Sequence, residues 1–184
     1  MDNRKIAKHS RDFIGGDPSV FEYVNENADK AIDIMKCSGG FLSDYDVFVS
    51  IGLSNVDIGL SIESKKLEIE IIAVCRKNDK NWDNILAYTV FDIMDNTVLT
   101  YGSVVQNAVS AYKDTELKHA LLLSPFCFSG YKPYSNSNEI VSWLMIVPIS
   151  DSELKFINDN GISAFESLLD DTFDFTDLRR KTVC

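Results

Sequence analysis

Apolar side chains recur with period two over one part of this chain and with period 3.6 over the next. That switch limits the fold more than any other feature. Val47, Val49 and Ile51 alternate with Phe48 and Ser50, which is the period of a strand. Ile58, Leu60 and Ile62 repeat the pattern after a turn at Ser54 and Asn55. Leu67, Ile69, Ile71, Ala73 and Cys75 then line one side of a longer segment, with Glu68, Glu70, Ile72 and Val74 on the other. Such a strand begins half exposed and ends buried on both faces, as expected where helices cover part of a sheet. Beyond it the period changes. Leu86, Val90, Ile93, Met94 and Thr97 form a helical stripe behind Asn84, a suitable N-cap.

The flanking segments add elements of both kinds. Ile6, Ala7, Ser10, Phe13 and Ile14 have helical spacing, and Gly15-Gly16 followed by Asp17-Pro18 ends that helix. Residues 31–36 and 119–124 read as short strands, the second ended by Pro125, and Val141 to Ile149 as a strongly apolar one. Residues 130–139 are the most loop-like stretch. Ser150 and Glu153 have the spacing of a capping box, with Leu154 and Ile157 behind it, and Gly161 ends that helix. Ser163 and Glu166 repeat the spacing. No linker, repeat or low-complexity tract interrupts the 184 residues. The reading is therefore a single α+β domain over residues 1–184, with a mixed, mainly antiparallel sheet flanked by helices.

Composition narrows the partners. The net charge is −10, which opposes nucleic acid and anionic membranes and attracts a basic protein. The charge is uneven: −8 over residues 12–63 and −7 over residues 150–177, against +3 over residues 1–11 and +3 after residue 177. Such charge either solvates a surface or steers a basic partner. The N-terminus has no apolar run of signal-peptide length and no segment is long enough to span a bilayer, so the chain is expected to be cytoplasmic, with its four cysteines reduced.

A search for chemistry returns little. His9 and His119 lie on different elements, and the cysteines form no Cys-x-x-Cys pair. No nucleophile elbow, Walker loop or dinucleotide-binding glycine motif is present. Asp44 and Asp46 lack the further oxygen ligands of a calcium loop. Asp170, Asp171, Asp174 and Asp177 have no base or nucleophile pattern beside them. Tyr131, Tyr134 and Trp143 either anchor an interface or cover the core, and the second is the commoner role of such aromatics. The expectation is no catalytic residue, no metal and no cofactor.

Several segments together resemble the Suppressor-of-Fused-like domain family. They are residues 50–54 (SIGLS) with 58–60 (IGL), 67–72 (LEIEII), 85–87 (ILA), 124–126 (SPF) and 141–150 (VSWLMIVPIS), then Glu153, Gly161 and residues 178–183 (LRRKTV). The likeness runs from about residue 3 to the C-terminus and is greatest to the bacterial, Bacillus-type branch. It implies an antitoxin, or immunity protein, that binds an LXG-type or other polymorphic toxin, often a nuclease, in the producing cell. The alternative it implies is an intracellular scaffold that sequesters a regulatory protein. The family transfers no catalytic residues. Trp143, Pro148, Glu153, Gly161 and Arg180 match it as structural positions, with Arg180 expected to pair with a carboxylate or cap a carbonyl. If the toxin is a nuclease, its cleft is basic. The acids expected to face it are Glu166, Asp170, Asp171, Asp174 and Asp177, then Asp44 and Asp46. The oligomeric state is not specified.

Overall fold

The computed structural model describes residues 2–40, 43–77, 79–96, 99–128, 130–169 and 173–184. Helix α1 (Asn3–Ile14) starts at Asp2, whose carboxylate accepts the Arg4 N–H at 3.0 Å, and ends at Gly15. Gly16 turns the chain at φ +78°, where a Cβ would lie 2.4 Å from the Ser38 carbonyl, so only glycine fits. Directly after it comes β1 (Asp17–Val24), a strand absent from the sequence reading. The reason is physical. Nearly every side chain of β1 is exposed, so neither face had to be apolar and no period-two signal arose.

Strands β2 (Ala31–Ser38), β3 (Tyr45–Ile51), β4 (Leu60–Ile62) and β5 (Lys65–Arg76) follow, with a 3-10 turn at Leu53–Asn55. Helix α2 (Trp82–Asn96) crosses the sheet, and β6 (Val104–Val105), β7 (Leu117–Leu123), β8 (Tyr134–Ser135) and β9 (Glu139–Ser150) complete it. Helices α3 (Asp151–Asn160) and α4 (Ile162–Glu166) come last. The sheet runs β1-β2-β3-β5-β9-β7-β6, with β4 added to β5 and β8 to β9. Every pairing among the described strands is antiparallel except the central one, β5 with β9. The mixed, mainly antiparallel sheet expected from the pattern is therefore present.

Two cores sit on its faces. Helix α2 covers one, where Trp82, Leu86 and Val90 meet Ile34, Ile71 and Ile146. Helices α1 and α4 cover the other, where Ile6, Ile14 and Phe165 meet Val49, Ile72 and Val147. Strand β5 runs from half-exposed Lys65 to residues 71–75, all fully buried, as its pattern predicts. Its glutamates are the exception. Glu68 is 5% exposed and Glu70 0%.

Two helix starts differ from the sequence reading. Helix α2 begins at Trp82, so Asn84 lies inside it and not at its cap. Trp82 is wholly buried, and burying a large side chain gives about 2–3 kcal/mol, more than the roughly 1 kcal/mol of a cap. Thr97 of its stripe lies outside the described residues. Helix α4 begins at Ile162 after Gly161 with no side-chain cap, so Ser163 and Glu166 form no capping box. At α3 the box is complete: the Ser150 hydroxyl accepts the Glu153 N–H and the Glu153 carboxylate accepts the Ser150 N–H.

The aromatics around residues 130–139 are core cover. The Tyr131 hydroxyl accepts the Trp143 N–H at 2.7 Å and lies 2.7 Å from the Ser142 hydroxyl. His9 stacks on Trp143 at 5.3 Å, and Phe13 meets Tyr131, Phe128 and Trp143 edge to face. This cluster fastens α1 to β9. Tyr131→Phe leaves the Trp143 N–H without its acceptor, and is expected to cost about 1–2 kcal/mol, read as a loss of a few degrees in Tm.

Candidate protein-binding surface

Chemically versatile side chains are held in structural roles. His119 is buried, its Nδ1 accepting the Asn107 N–H at 3.1 Å and its Nε2 lying 2.9 Å from Asp151 Oδ1. That geometry places the ring proton on Nε2. Cys37 and Cys75 are buried free thiols, which burial pushes up to about 11 and about 12. Thiolate chemistry near neutral pH is therefore disfavoured at both. Among the described residues no group of three or more His, Cys, Asp or Glu side chains is placed to hold a metal ion.

The acids matter more. The sheet brings two distant segments to one end. Tyr45, beside Asp44 and Asp46 at the start of β3, pairs with Arg76 at the end of β5. Arg76 donates to Asp174 at 2.5 Å, across 98 residues of sequence. Asp44, Asp46, Asp174 and Asp177 thus share a neighbourhood that spacing alone could not reveal. Their exposures differ. Asp44 is exposed, while Asp177 is half-buried and accepts the Arg179 N–H at 2.8 Å. Asp174 is half-buried, paired with Arg76 and bonded to the Thr176 N–H and hydroxyl. Burial raises its carboxyl, but these donors outweigh burial and hold it below the usual carboxylate range. Asp46 is 2% exposed, with the Lys36 ammonium at 2.8 Å and the Ser38 hydroxyl at 2.7 Å. Glu166 lies apart, half-buried and bonded to the Tyr101 hydroxyl. Burial and then that carboxylate push the Tyr101 phenol up to about 12. Asp170 and Asp171 lie outside the described residues.

Two buried glutamates tie other segments together, Glu153 at the end of β9 and Glu70 at the far end of β3. The Glu153 carboxylate takes both terminal nitrogens of Arg180, at 2.7 and 2.9 Å, and the Arg180 guanidinium also donates to the Pro148 carbonyl at 2.7 Å. Arg180 therefore does both things expected of it. Glu70 accepts four hydrogen bonds, from the Ser50 and Ser54 hydroxyls and the Gly52 and Ser54 N–H groups. Sequence reasoning placed Glu70 on the less buried side of β5. The residues that could have signalled otherwise are Ser50 and Ser54, hydroxyls within reach of one strand position.

A mixed sheet with helices on both faces, with Asp46, Glu70 and Glu153 bonded or paired in its interior and Asp44 turned outward, defines an α+β domain with an acidic surface. The chain belongs to the Suppressor of fused protein family, whose model matches residues 28–181. It is 29% identical to the immunity protein YqcF of Bacillus subtilis (strain 168), over 100% of this chain and 97% of that one. Its fold resembles the crystal structure of a putative suppressor of fused homologue from Neisseria gonorrhoeae, with a TM-score of 0.78, 16% identity and coverage of 99% of this chain and 96% of that one. It also resembles a chain in the Sufu–Fu complex, with a TM-score of 0.66, 14% identity and coverage of 98% and 91%. Against Drosophila Suppressor of Fused the TM-score is 0.57 at 14% identity, over 90% of this chain but 42% of that one. Among the described residues no helix is long and apolar enough to cross a membrane.

Proposed function

We propose that this chain is an immunity protein that binds a cognate polymorphic toxin in the cytoplasm of the producing cell and neutralises it by stoichiometric binding, without catalysis. The observation that carries this reading is the end-to-end likeness to YqcF, which bears that name. The toxin is of LXG or related type, with a basic nuclease domain. A net charge of −10 suits such a partner, because opposite potentials speed encounter and fix orientation. Asp44 and Asp177 are the acids of the β3–β5 end best placed to meet it, with Glu166 further along. Asp170 and Asp171 stay in the proposed contact set by sequence, whereas Asp46 and Asp174 act through the shape of that end. A second reading, a scaffold that sequesters a regulatory protein, draws on the likeness to the Sufu–Fu complex.

Co-expression separates the two. Cells made to express a candidate toxin from the neighbourhood of this gene are expected to survive with the chain and die without it. Failure of rescue, with a non-toxic partner found instead, favours the scaffold. The electrostatic part has its own readout. The association rate is expected to fall about tenfold or more between low and high salt, with little change in dissociation. Asp44→Lys with Asp177→Asn is expected to slow association and leave Tm almost unchanged, because asparagine keeps an acceptor for the Arg179 N–H.

A further inference from the structure

At the edge of the sheet farthest from β6, β1 has only β2 as a partner among the described residues. Among the described residues no backbone group of Asp17–Val24 makes a hydrogen bond beyond that pairing. Soluble proteins usually blunt such an edge by shortening, covering or charging it, because free N–H and C=O groups accept another strand. This one is eight residues long, and Val20, Phe21 and Val24 are each more than half exposed. Phe21 and Tyr23 face α2, where Tyr23 donates to Asp83 at 2.5 Å. There they line an open groove of about 440 Å³ floored by Ile34 and Phe48. Val20 and Glu22 face the other way, opposite Met35 and Asp33.

Charge decides what could lie along this edge. The β1–β2 hairpin carries Asp17, Glu22, Glu26, Asp29 and Asp33 against Lys30 and Lys36. Both lysines are engaged elsewhere, Lys30 with Asp95 of α2 and Lys36 with Asp46 of β3. The five hairpin acids have no ion pair among the described residues. Glu22 and Asp33 are direct cross-strand partners, an arrangement that destabilises a sheet unless a cation comes between them. A second copy of the chain would bring two such hairpins together and increase the repulsion. An extended segment alternating basic and apolar residues would remove it.

We infer that the exposed edge of β1 is a docking site for a basic, strand-forming segment of a partner protein. The segment adds to the sheet by backbone pairing, sets an apolar side chain against Phe21 at the groove, and brings Lys or Arg to Glu22 and Asp33. The inference deepens the immunity reading in taking the toxin as the source of that segment, and it is distinct from the acids of the β3–β5 end.

The probe is a short synthetic peptide of alternating lysine and valine, capped at both ends, titrated into the isotopically labelled chain. A second peptide with glutamate for lysine is the control. Amide shifts along Asp17–Val24 and around Phe21 with the first peptide only, lost in a Val20→Lys, Phe21→Lys variant of unchanged Tm, are the expected result. Shifts elsewhere, or none, overturn it. So does concentration-dependent dimerisation abolished by the same variant, which would make a second copy the occupant. With a toxin that the chain neutralises in the co-expression test, the variant is expected to bind at least about tenfold more weakly than the parent. Equal binding overturns the edge site and leaves immunity standing. Peptide docking on β1 without rescue from the toxin overturns immunity and leaves the edge site standing.

Discussion

Arg180→Met is expected to destabilise the protein by about 3–5 kcal/mol, because it leaves the Glu153 carboxylate buried without its cation. Glu153 is 0% exposed and the Arg180 side chain 6%. Two parallel N–H···O bonds join them, and the guanidinium lies 4.4 Å over the Phe173 ring. The same carboxylate accepts the Ser150 N–H at the start of α3 and the Val183 N–H of the C-terminal segment. One group thus ties the end of β9, the start of α3 and the chain terminus. At this chain length the expected loss in Tm is about 10 °C or more. Arg180→Lys keeps the charge but not the fork, so a smaller loss is expected. A fall of only a degree or two for Arg180→Met would mean that water reaches Glu153 in the native state.

The pair also gives a pH dependence of definite sign. Burial pushes the Glu153 carboxyl up, but Arg180 and the N–H groups of Ser150 and Val183 outweigh burial, leaving it below its ordinary value of 4.5. The unfolded chain therefore binds this proton more readily than the native one. The resulting stability is present above about pH 4.5 and is lost as pH falls through the lower native value. Glu153→Gln is expected to remove that acid-side loss while lowering stability at neutral pH.

Strands with one apolar face were legible because alternation is a direct record of burial. Alternation marked β3 and the start of β5, continuous apolar runs marked β7 and β9, which are buried on both faces, and the Ser150–Glu153 box follows from local hydrogen bonding. Strand β1 left no record because it buries so little. The parallel pairing of β5 with β9, from Lys66 opposite Glu139 to Ile72 opposite Met145, depends on topology, which no local spacing encodes. The candidate site divides in the same way. Counting charge along the chain located the acidic segments, including the hairpin acids within residues 12–63. It could not separate Asp46, buried against Lys36, from Asp44, exposed two residues earlier. Nor could it show that Asp174 is engaged by Arg76. Exposure and pairing belong to the tertiary structure, and they determine which acids remain for a partner.

Glu70 shows the widest gap between residue type and place, and its replacement is the second large effect. Glu70→Ala removes the acceptor of four hydrogen bonds at 2.5–3.1 Å in a site without solvent. Each buried donor left unmade costs about 1–3 kcal/mol, so a loss of about 4 kcal/mol or more is expected. The Ser50 hydroxyl cannot compensate simply, because it also accepts the Ile71 N–H at 2.8 Å and its own proton points to Glu70. Burial drives the Glu70 carboxyl above its ordinary 4.5, against the four donors that favour the ionised form. The sign is opposite to that at Glu153. Here the native chain holds the proton more readily than the unfolded one, so this group's stabilisation is complete below about pH 4.5 and declines as pH rises through the native value. Glu70→Gln mimics the protonated form: its carbonyl can serve the Gly52 and Ser54 N–H groups, and its amide can donate to a reoriented Ser50 hydroxyl. Its stability relative to the parent is therefore expected to improve as pH rises, whereas Glu70→Ala remains worse throughout. Chemical denaturation of the three proteins across pH 4–8 measures this directly. A parent-to-Gln difference that does not change with pH would show that the donors of the 3-10 turn keep the carboxylate ionised in spite of its burial.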